Sequence, residues 1–372
     1  MFISDFTDTT SSANKVGGSH LDLAIVFGGQ SSEYSVSLVS ASFIIEVCSR
    51  LENVQVHKVG ITRDGAWYLT DATIEEIKED KWQKQSNLLL NWCMDGQHRG
   101  FVAGDKFQSI DCIFPVLHGR NGEDGTVQGL WQLAGIPYVG CQVVDSAVSM
   151  DKVISRMLFD HAGIPQTKWT WLYHRRYLSK PEQCITEIES FLSYPVFVKP
   201  ANAGSSVGIS KAKNTEDLKA ALEIAFQHDS KVVIDEAANV REIEFAVLQL
   251  SDDEGSIFVS EPGEIVPDRE FYDFEAKYKD ANSRLLLPAP LEPELQKQLE
   301  EYAKLAFRVV DGHGLCRADF FVEKETGRIY INEINTLPGF TSISMYPKLM
   351  EYSGIEAPHL MKLLISAALM NK

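Results

Sequence analysis

Near the end of the chain, Arg317 and Asp319 stand two residues apart, and so do Glu333 and Asn335. The stretch that holds them, RADFFVEKETGRIYINEIN, alternates apolar and polar residues as strands do. Lys324-Glu325-Thr326-Gly327-Arg328 supplies the turn between its halves. A hairpin closing symmetrically about Thr326 sets Asp319 opposite Glu333 and Arg317 opposite Asn335, with all four on one sheet face. Facing carboxylates repel. A divalent cation reverses that sign, and two carboxylates with an Asn carbonyl oxygen are hard ligands of the kind Mg²⁺ takes beside phosphates. The alternative is a solvated hairpin face whose charges splay apart.

A second stretch suggests phosphate chemistry. In FVKPANAGSSVGIS, Lys199 ends a strand and the residues from Ala203 to Gly208 are small, so backbone N–H groups can approach an anion. A flexible hairpin turn has the same composition. The Walker pattern GxxxxGK[ST] is absent, and FGGQSS after the first strand does not match GxGxxG. P-loop kinases and dinucleotide oxidoreductases therefore lose ground. Lys152 at a helix start, Lys199 on a strand and Lys277 in a loop could together neutralise a triphosphate, although each alone is an ordinary surface lysine. Residues 264–290 are charged, aromatic and aperiodic, the pattern of a lid over an active site or of a surface loop with a few packed aromatics. In FPVLHGRNGEDGT a buried strand delivers His118 to a Gly-rich loop at its carboxyl end, where α/β sheets bind ligands.

Positioning these groups needs several elements, and 372 residues allow two or three domains. LDLAIVFGG followed by SVSLVSASFIIEVCSRL is a strand-to-helix step of an α/β domain, and with DCIFPVLHG it makes a first domain of 21–140. MDKVISRMLFDHAG reads as a helix and YPVFVKP as a strand of a second unit, 141–235. The third unit, 236–372, holds EIEFAVLQL, the lid, the helix PELQKQLEEYAKLAFRVV and the charged hairpin. That helix carries a stripe of Leu295, Leu299, Tyr302, Ala306 and Val309 and is stopped by Gly312. The first 20 residues, rich in Ser, Thr and Gly, read as a disordered or tag-like extension outside the fold.

Composition excludes several partner classes. The formal charge of 35 − 52 = −17 disfavours nucleic acid and anionic membrane as partners. Six cysteines, with no CxxC and no His/Cys cluster, indicate neither a zinc site nor a disulfide framework. With no apolar run of about 18 residues and no signal-peptide core, the expected location is the cytoplasm.

Taken together, FGGQSSEYSVS, FPVLHGRNGEDGT, MDK, VKPANAGSSVGIS, REIEFAVL, FYDFEAKY, CRADFF and INEINTLPGFTS resemble, in order, the motifs of the D-alanine:D-alanine ligases and their glycopeptide-resistance relatives. The resemblance covers 21–372 and implies an ATP-grasp fold, α/β in class, with an N-terminal Rossmann-like domain. It implies two Mg²⁺ ions, with Mn²⁺ as a substitute, held by Asp319, Glu333 and Asn335 against ATP. It assigns Lys152, Lys199, Ser206 and Lys277 to the phosphates, Glu242 to the ribose, and Asp235 and Ala237 to the adenine linker. Asp235 departs from the Glu common in the family.

The resemblance makes Arg317 the residue that steadies the oxyanion of a tetrahedral intermediate, a role suited to a fixed cation aimed at developing charge. Glu33 would receive the ammonium of the first D-alanine, and Ser205 and Tyr278 would link Glu33 to the lid. His118 lies by that subsite, and Ser344 and Met345 line the second. The implied reaction is phosphorylation of one D-alanine carboxylate by ATP, then attack by the amine of a second, with a lid to keep water from the acyl phosphate. Tyr278 points to an amine nucleophile, because the D-lactate branch carries His there. Tyr34-Ser35, GITRDGAWYL and Ile343 are closer to the resistance relatives. D-alanine is the expected second substrate and D-serine the alternative, and a homodimer is implied. Two further classes stay open. Another ATP-grasp carboxylate–amine ligase need not share the Glu33, Ser205 and Tyr278 set, and a silent nucleotide-binding protein would have lost a metal ligand or Arg317.

Overall fold

The computed structural model describes residues 20–85, 87–251, 255–266, 284–341 and 343–370. Lys277, Tyr278, most of the expected lid 264–290 and nearly all of the expected extension 1–20 lie outside these residues.

The apolar run β1 (Leu21–Gly28) is parallel to both β2 (Val54–Ile61) and β7 (Cys112–Val116). Strands covered on both faces need no polar alternation, which is why LDLAIVFG reads as a continuous run. With β3 (Trp67–Thr70), β4 (Asn87–Trp92), β5 (Gly100–Ala103) and β6 (Lys106–Ser109), they form a sheet in the order β6-β5-β4-β3-β2-β1-β7. On one face Ala24 and Val26 share a core with Val127 and Trp131 of the helix Thr126–Leu133. On the other, Leu23, Ile25 and Phe27 meet Leu38, Ala41 and Ile45 of the helix Tyr34–Cys48. Leu360, Leu364 and Ile365 of the helix Ala357–Met370 enter that same core. The first sheet is thus closed by the last helix, a pairing that no local pattern in the sequence announces.

The second sheet, β10-β9-β11-β8, is antiparallel throughout and comprises β8 (Trp169–Tyr173), β9 (Val196–Pro200), β10 (Ser210–Ala212) and β11 (Lys231–Glu236). Helices Pro181–Phe191 and Thr215–Phe226 pack on it through Ile185, Ile188, Leu218 and Leu222. The third sheet runs β15-β14-β12-β16-β17, with β13 also on β12. Its strands are β12 (Val240–Gln249), β13 (Ile257–Val259), β14 (Gly263–Val266), β15 (Arg284–Leu286), β16 (Leu315–Glu323) and β17 (Ile329–Asn335). The helix Pro293–Val309 covers it. Its buried face is Leu299, Ala303, Ala306 and Phe307, with Leu295, Tyr302 and Val309 as half-buried flanks, so the expected stripe is rotated toward Phe307. The helix stops at Val309, and Asp311 rather than Gly312 takes the left-handed turn, at φ 60°. Gly312 serves close packing instead, because a Cβ there would lie 2.5 Å from the Phe307 ring.

The charged hairpin pairs Arg317 with Asn335 and Asp319 with Glu333, as the alternation predicts. Its closure is not symmetric about Thr326. Phe320 pairs with Ile331, and an irregularity after Asp319 leaves Asn332 as an extra residue on β17. That extra residue lets Ile331 and Ile334, three apart, both reach the core while Glu333 and Asn335 keep the other face.

Just before β16, His313 donates from both its backbone N–H and its Nδ1 to Asp145 Oδ2, at 3.1 Å each. The Asp145 hydrogen bond raises the imidazole above its ordinary range, against a smaller opposing effect of burial. A raised folded pKa stabilises fully below the unfolded value, about 6.5 for His, and that stabilisation is lost as pH rises through the folded value. The melting temperature of the wild type relative to His313→Gln should therefore fall between about pH 6 and about pH 8.5. A gap that is the same at both pH values would remove this role from the pair.

Candidate active site

A cavity of about 430 Å³ is walled by segments of all three sheet units, and nine sequence-predicted residues line it: Glu33, His118, Lys152, Ser205, Arg317, Glu333, Asn335, Ser344 and Met345. Glu33 follows the turn after β1 and begins the helix Tyr34–Cys48, its carbonyl accepting from Val36 N at 3.0 Å and Ser37 N at 3.1 Å. Its N–H donates to Ser31 Oγ at 3.1 Å, and Ser205 Oγ donates to its Oε1 from the second unit. Ser205 and Ser206 sit at φ 51° and 58°, a left-handed conformation that costs non-glycine residues energy and is held by the surrounding loop. A Cβ at Gly119 or Gly204 would come within 2.8 or 3.0 Å of Glu33 Oε2, so both glycines make room for this buried carboxylate.

His118 is buried, and Leu337 O accepts from its Nδ1 at 3.0 Å while Ser40 Oγ meets Nε2 at 3.4 Å. Burial lowers its pKa and keeps the ring neutral, with Glu33 opposing weakly. Both nitrogens are thus engaged within the protein. The ring borders the cavity as a fixed wall beside Glu33.

The facing carboxylates of the hairpin are each tied to a cation. Arg317 grips Asp319 bidentately, Nε to Oδ1 at 2.7 Å and Nη2 to Oδ2 at 2.6 Å, and Nε also lies 3.1 Å from Glu244 Oε2 on β12. Lys152 Nζ is 3.6 Å from Glu333 Oε2 and donates to Ala203 O at 2.8 Å. Burial alone would lower the Arg317 pKa, but Asp319 and Glu244 outweigh it and hold the guanidinium firmly charged. Among the described residues, no group of three or more His, Cys, Asp or Glu side chains is gathered for a metal. The hairpin instead offers two carboxylates and the Asn335 amide oxygen, which accepts from Leu337 N at 3.2 Å and keeps a second lone pair. That set fits a hard cation that takes its other ligands from phosphate and water, as Mg²⁺ does.

Of the expected nucleotide residues within the described part, Lys152 lines the cavity, whereas Lys199, Ser206, Asp235, Ala237 and Glu242 do not, nor does Asp319. The Asp235 carboxylate sits between two cations. It is 3% exposed and accepts from Arg156 Nη2 at 2.7 Å and Lys199 Nζ at 3.0 Å. Burial raises its pKa, yet Lys199 and Arg156 bring it below the usual carboxylate range. The carboxylate thus grips Lys199 on the neighbouring strand, and Arg156 reaches it from the helix Lys152–His161. Ala237 N is likewise spent on Pro195 O at 2.9 Å.

Sequence reasoning missed Arg156, Glu244 and Glu123. Glu244 sits opposite Asp319 in the ladder, and its signal was the alternation with Glu242 in REIEFAVL. Glu123 lines the cavity and accepts from Gly119 N at 2.6 Å. Burial first, then the Glu33 charge, pushes its pKa well above the ordinary carboxylate range.

Comparison with known proteins agrees with this geometry. A family model described as "D-ala D-ala ligase N-terminus" matches residues 22–141, and one described as "D-ala D-ala ligase C-terminus" matches 158–366. The chain is 49% identical over 353 residues to the D-alanine--D-alanine ligase of Caldicellulosiruptor bescii, covering 94% of this chain and 95% of the relative. It is 46% identical over 363 residues to that of Acetivibrio thermocellus, covering 92% and 94%. Among solved structures it is similar to the VanG D-Ala:D-Ser ligase from Enterococcus faecalis, with a TM-score of 0.85, 36% identity and coverage of 94% and 99%. It is also similar to the D-alanine-D-alanine ligase from Coxiella burnetii, with a TM-score of 0.82, 31% identity and coverage of 95% and 94%. With two family models spanning nearly the whole chain, this protein belongs to the D-alanine–D-alanine ligase family.

Proposed function

We infer that the chain joins two D-alanines into D-alanyl-D-alanine at the expense of ATP, forming ADP and phosphate, and so supplies a peptidoglycan precursor. The observation that carries this reading is the meeting, across one cavity, of a buried carboxylate bonded to Ser205 with Arg317, Glu333 and Asn335 of the charged hairpin. Glu33 receives the ammonium of the first D-alanine, which directs that substrate's carboxylate toward the hairpin. Lys152 and Lys199 neutralise the nucleotide phosphates during transfer to the carboxylate, and the product is an acyl phosphate. Asp319, Glu333 and Asn335 would hold Mg²⁺, which when bound neutralises phosphate charge. The amine of the second amino acid attacks the activated carbonyl, Arg317 stabilises the oxyanion, and phosphate leaves.

Around the second subsite Ile265, Leu285, Ile343 and Met345 present apolar surface. The Ser344 hydroxyl is engaged with Thr341, accepting from its N–H at 3.0 Å and lying 2.7 Å from its Oγ1. This wall suits the methyl of D-alanine better than the hydroxymethyl of D-serine. Among the described residues no helix is long and apolar enough to cross a membrane. Cytoplasmic residence and a homodimer complete the proposal. Its test is phosphate release from ATP and Mg²⁺ with D-alanine alone and with excess D-serine or D-lactate, the products identified by mass. Dominant D-alanyl-D-alanine is expected. A mixed dipeptide or depsipeptide as the main product would replace the second substrate, and no D-alanine-dependent release would overturn the reading.

A further inference from the structure

Two stretches with no part in the chemistry above, Tyr34-Ser35 and GITRDGAWYL at residues 60–69, meet around the ring of Tyr34. Tyr34 directly follows Glu33, opens the helix Tyr34–Cys48 and is fully buried. Its hydroxyl donates to Asp80 Oδ1 at 3.0 Å and accepts from Trp82 Nε1 and Gln83 Nε2, each at 3.0 Å. One donor and two acceptor sites are the full capacity of a phenol, so the tip of the ring has no slack. The Arg63 guanidinium lies 3.8 Å from the ring centroid and donates to Asp80 Oδ2 at 3.2 Å, tying the ring's face and its tip to one carboxylate. The ring edge abuts β1, since a Cβ at Gly28 would sit 3.1 Å from Tyr34 Cε2.

Four side chains from beyond the active site thus immobilise the residue next to Glu33. We propose that Tyr34, held by Asp80, Trp82, Gln83 and Arg63, is a positioning residue that sets the Glu33 carboxylate in the cavity and so determines affinity for the ammonium of the first amino acid. The mechanical link is short. Glu33 and Tyr34 share a peptide unit, and the helix's first hydrogen bonds, from Val36 and Ser37, end on Glu33 O. A shift of the Tyr34 backbone that follows the ring turns this peptide and moves the Glu33 carboxylate against Ser205, which approaches from a different unit. The inference rests on the reading of Glu33 as the ammonium ligand.

Tyr34→Phe keeps the ring and its contact with Arg63 and removes only the hydroxyl. First-site affinity is read alone when hydroxylamine intercepts the acyl phosphate and D-alanyl hydroxamate is measured against D-alanine concentration. The expected result is a KM for D-alanine raised about tenfold, with KM for ATP within about twofold and kcat down by less than about twofold. Arg63→Gln, on the surface, should shift the same KM in the same direction by about threefold and serves if Tyr34→Phe does not fold. A purely structural tyrosine would lower the melting temperature of Tyr34→Phe and leave the D-alanine KM alone, and that outcome overturns the inference. If wild type forms no hydroxamate, the functional reading itself fails, which the control shows separately.

Discussion

Changing Asp319 to Asn and Glu333 to Gln together is expected to lower ATP-dependent ligation by at least about 10³-fold, with the fold retained. The replacements keep shape and volume and remove two negative charges from one sheet face. Without them the site retains Arg317 on the hairpin and Lys152 on the facing helix, so it can still attract phosphate but has lost the hard anionic ligands that a divalent cation needs. Arg317 loses its bidentate partner but keeps Glu244 at 3.1 Å, which limits the structural cost. The check is phosphate release with D-alanine over a Mg²⁺ titration, alongside thermal melts. Activity near that of wild type in the double variant would sink the metal assignment.

Arg317→Lys is expected to lower kcat by about 10²- to 10³-fold while KM for ATP changes by less than about threefold. Lysine keeps the charge yet cannot grip Asp319 with two parallel N–H bonds while touching Glu244, so its ammonium sits elsewhere. Arg317→Met should be worse. It leaves Asp319 and Glu244 buried together without a cation, and breaking a buried pair costs about 3–5 kcal/mol of stability. Comparing the two separates catalysis from folding: the lysine variant should melt near wild type and still be slow. A lysine variant within about threefold of wild-type kcat would remove the oxyanion role.

The hairpin was legible because strand alternation has a period of two and the charges obey it from both ends, so register and face followed from counting. The count about Thr326 held at Asp319 and Glu333 only because Asn332 absorbs one residue, and nothing in IYINEIN marks that position as irregular. Glu33, Ser205 and Lys152 were legible through motif resemblance. That they converge on one cavity depends on packing between units far apart in sequence. Asp235 shows the limit most clearly. Its burial between Lys199 and Arg156, the latter on a preceding helix, depends on packing that no local pattern in the sequence marks. Glu123 was hidden for a related reason: in NGEDG two acids are adjacent and both half-buried, and only the path of the loop puts Glu123 and not Asp124 on the cavity wall. The helix Pro293–Val309 was found by its stripe, but which residues face the sheet depends on where Phe320 and Ile331 leave room.

The closing of the first sheet by the last helix has a consequence for biosynthesis. On the ribosome, β1 emerges more than three hundred residues before Leu360, Leu364 and Ile365, the side chains that cover Leu23, Ile25 and Phe27. Domains generally fold in the order they are made. The helix Tyr34–Cys48 can cover that face of β1 early, but the core they share stays incomplete beside that helix and β7 until Ala357–Met370 is made, so a chain interrupted before Ala357 leaves part of this core open to solvent.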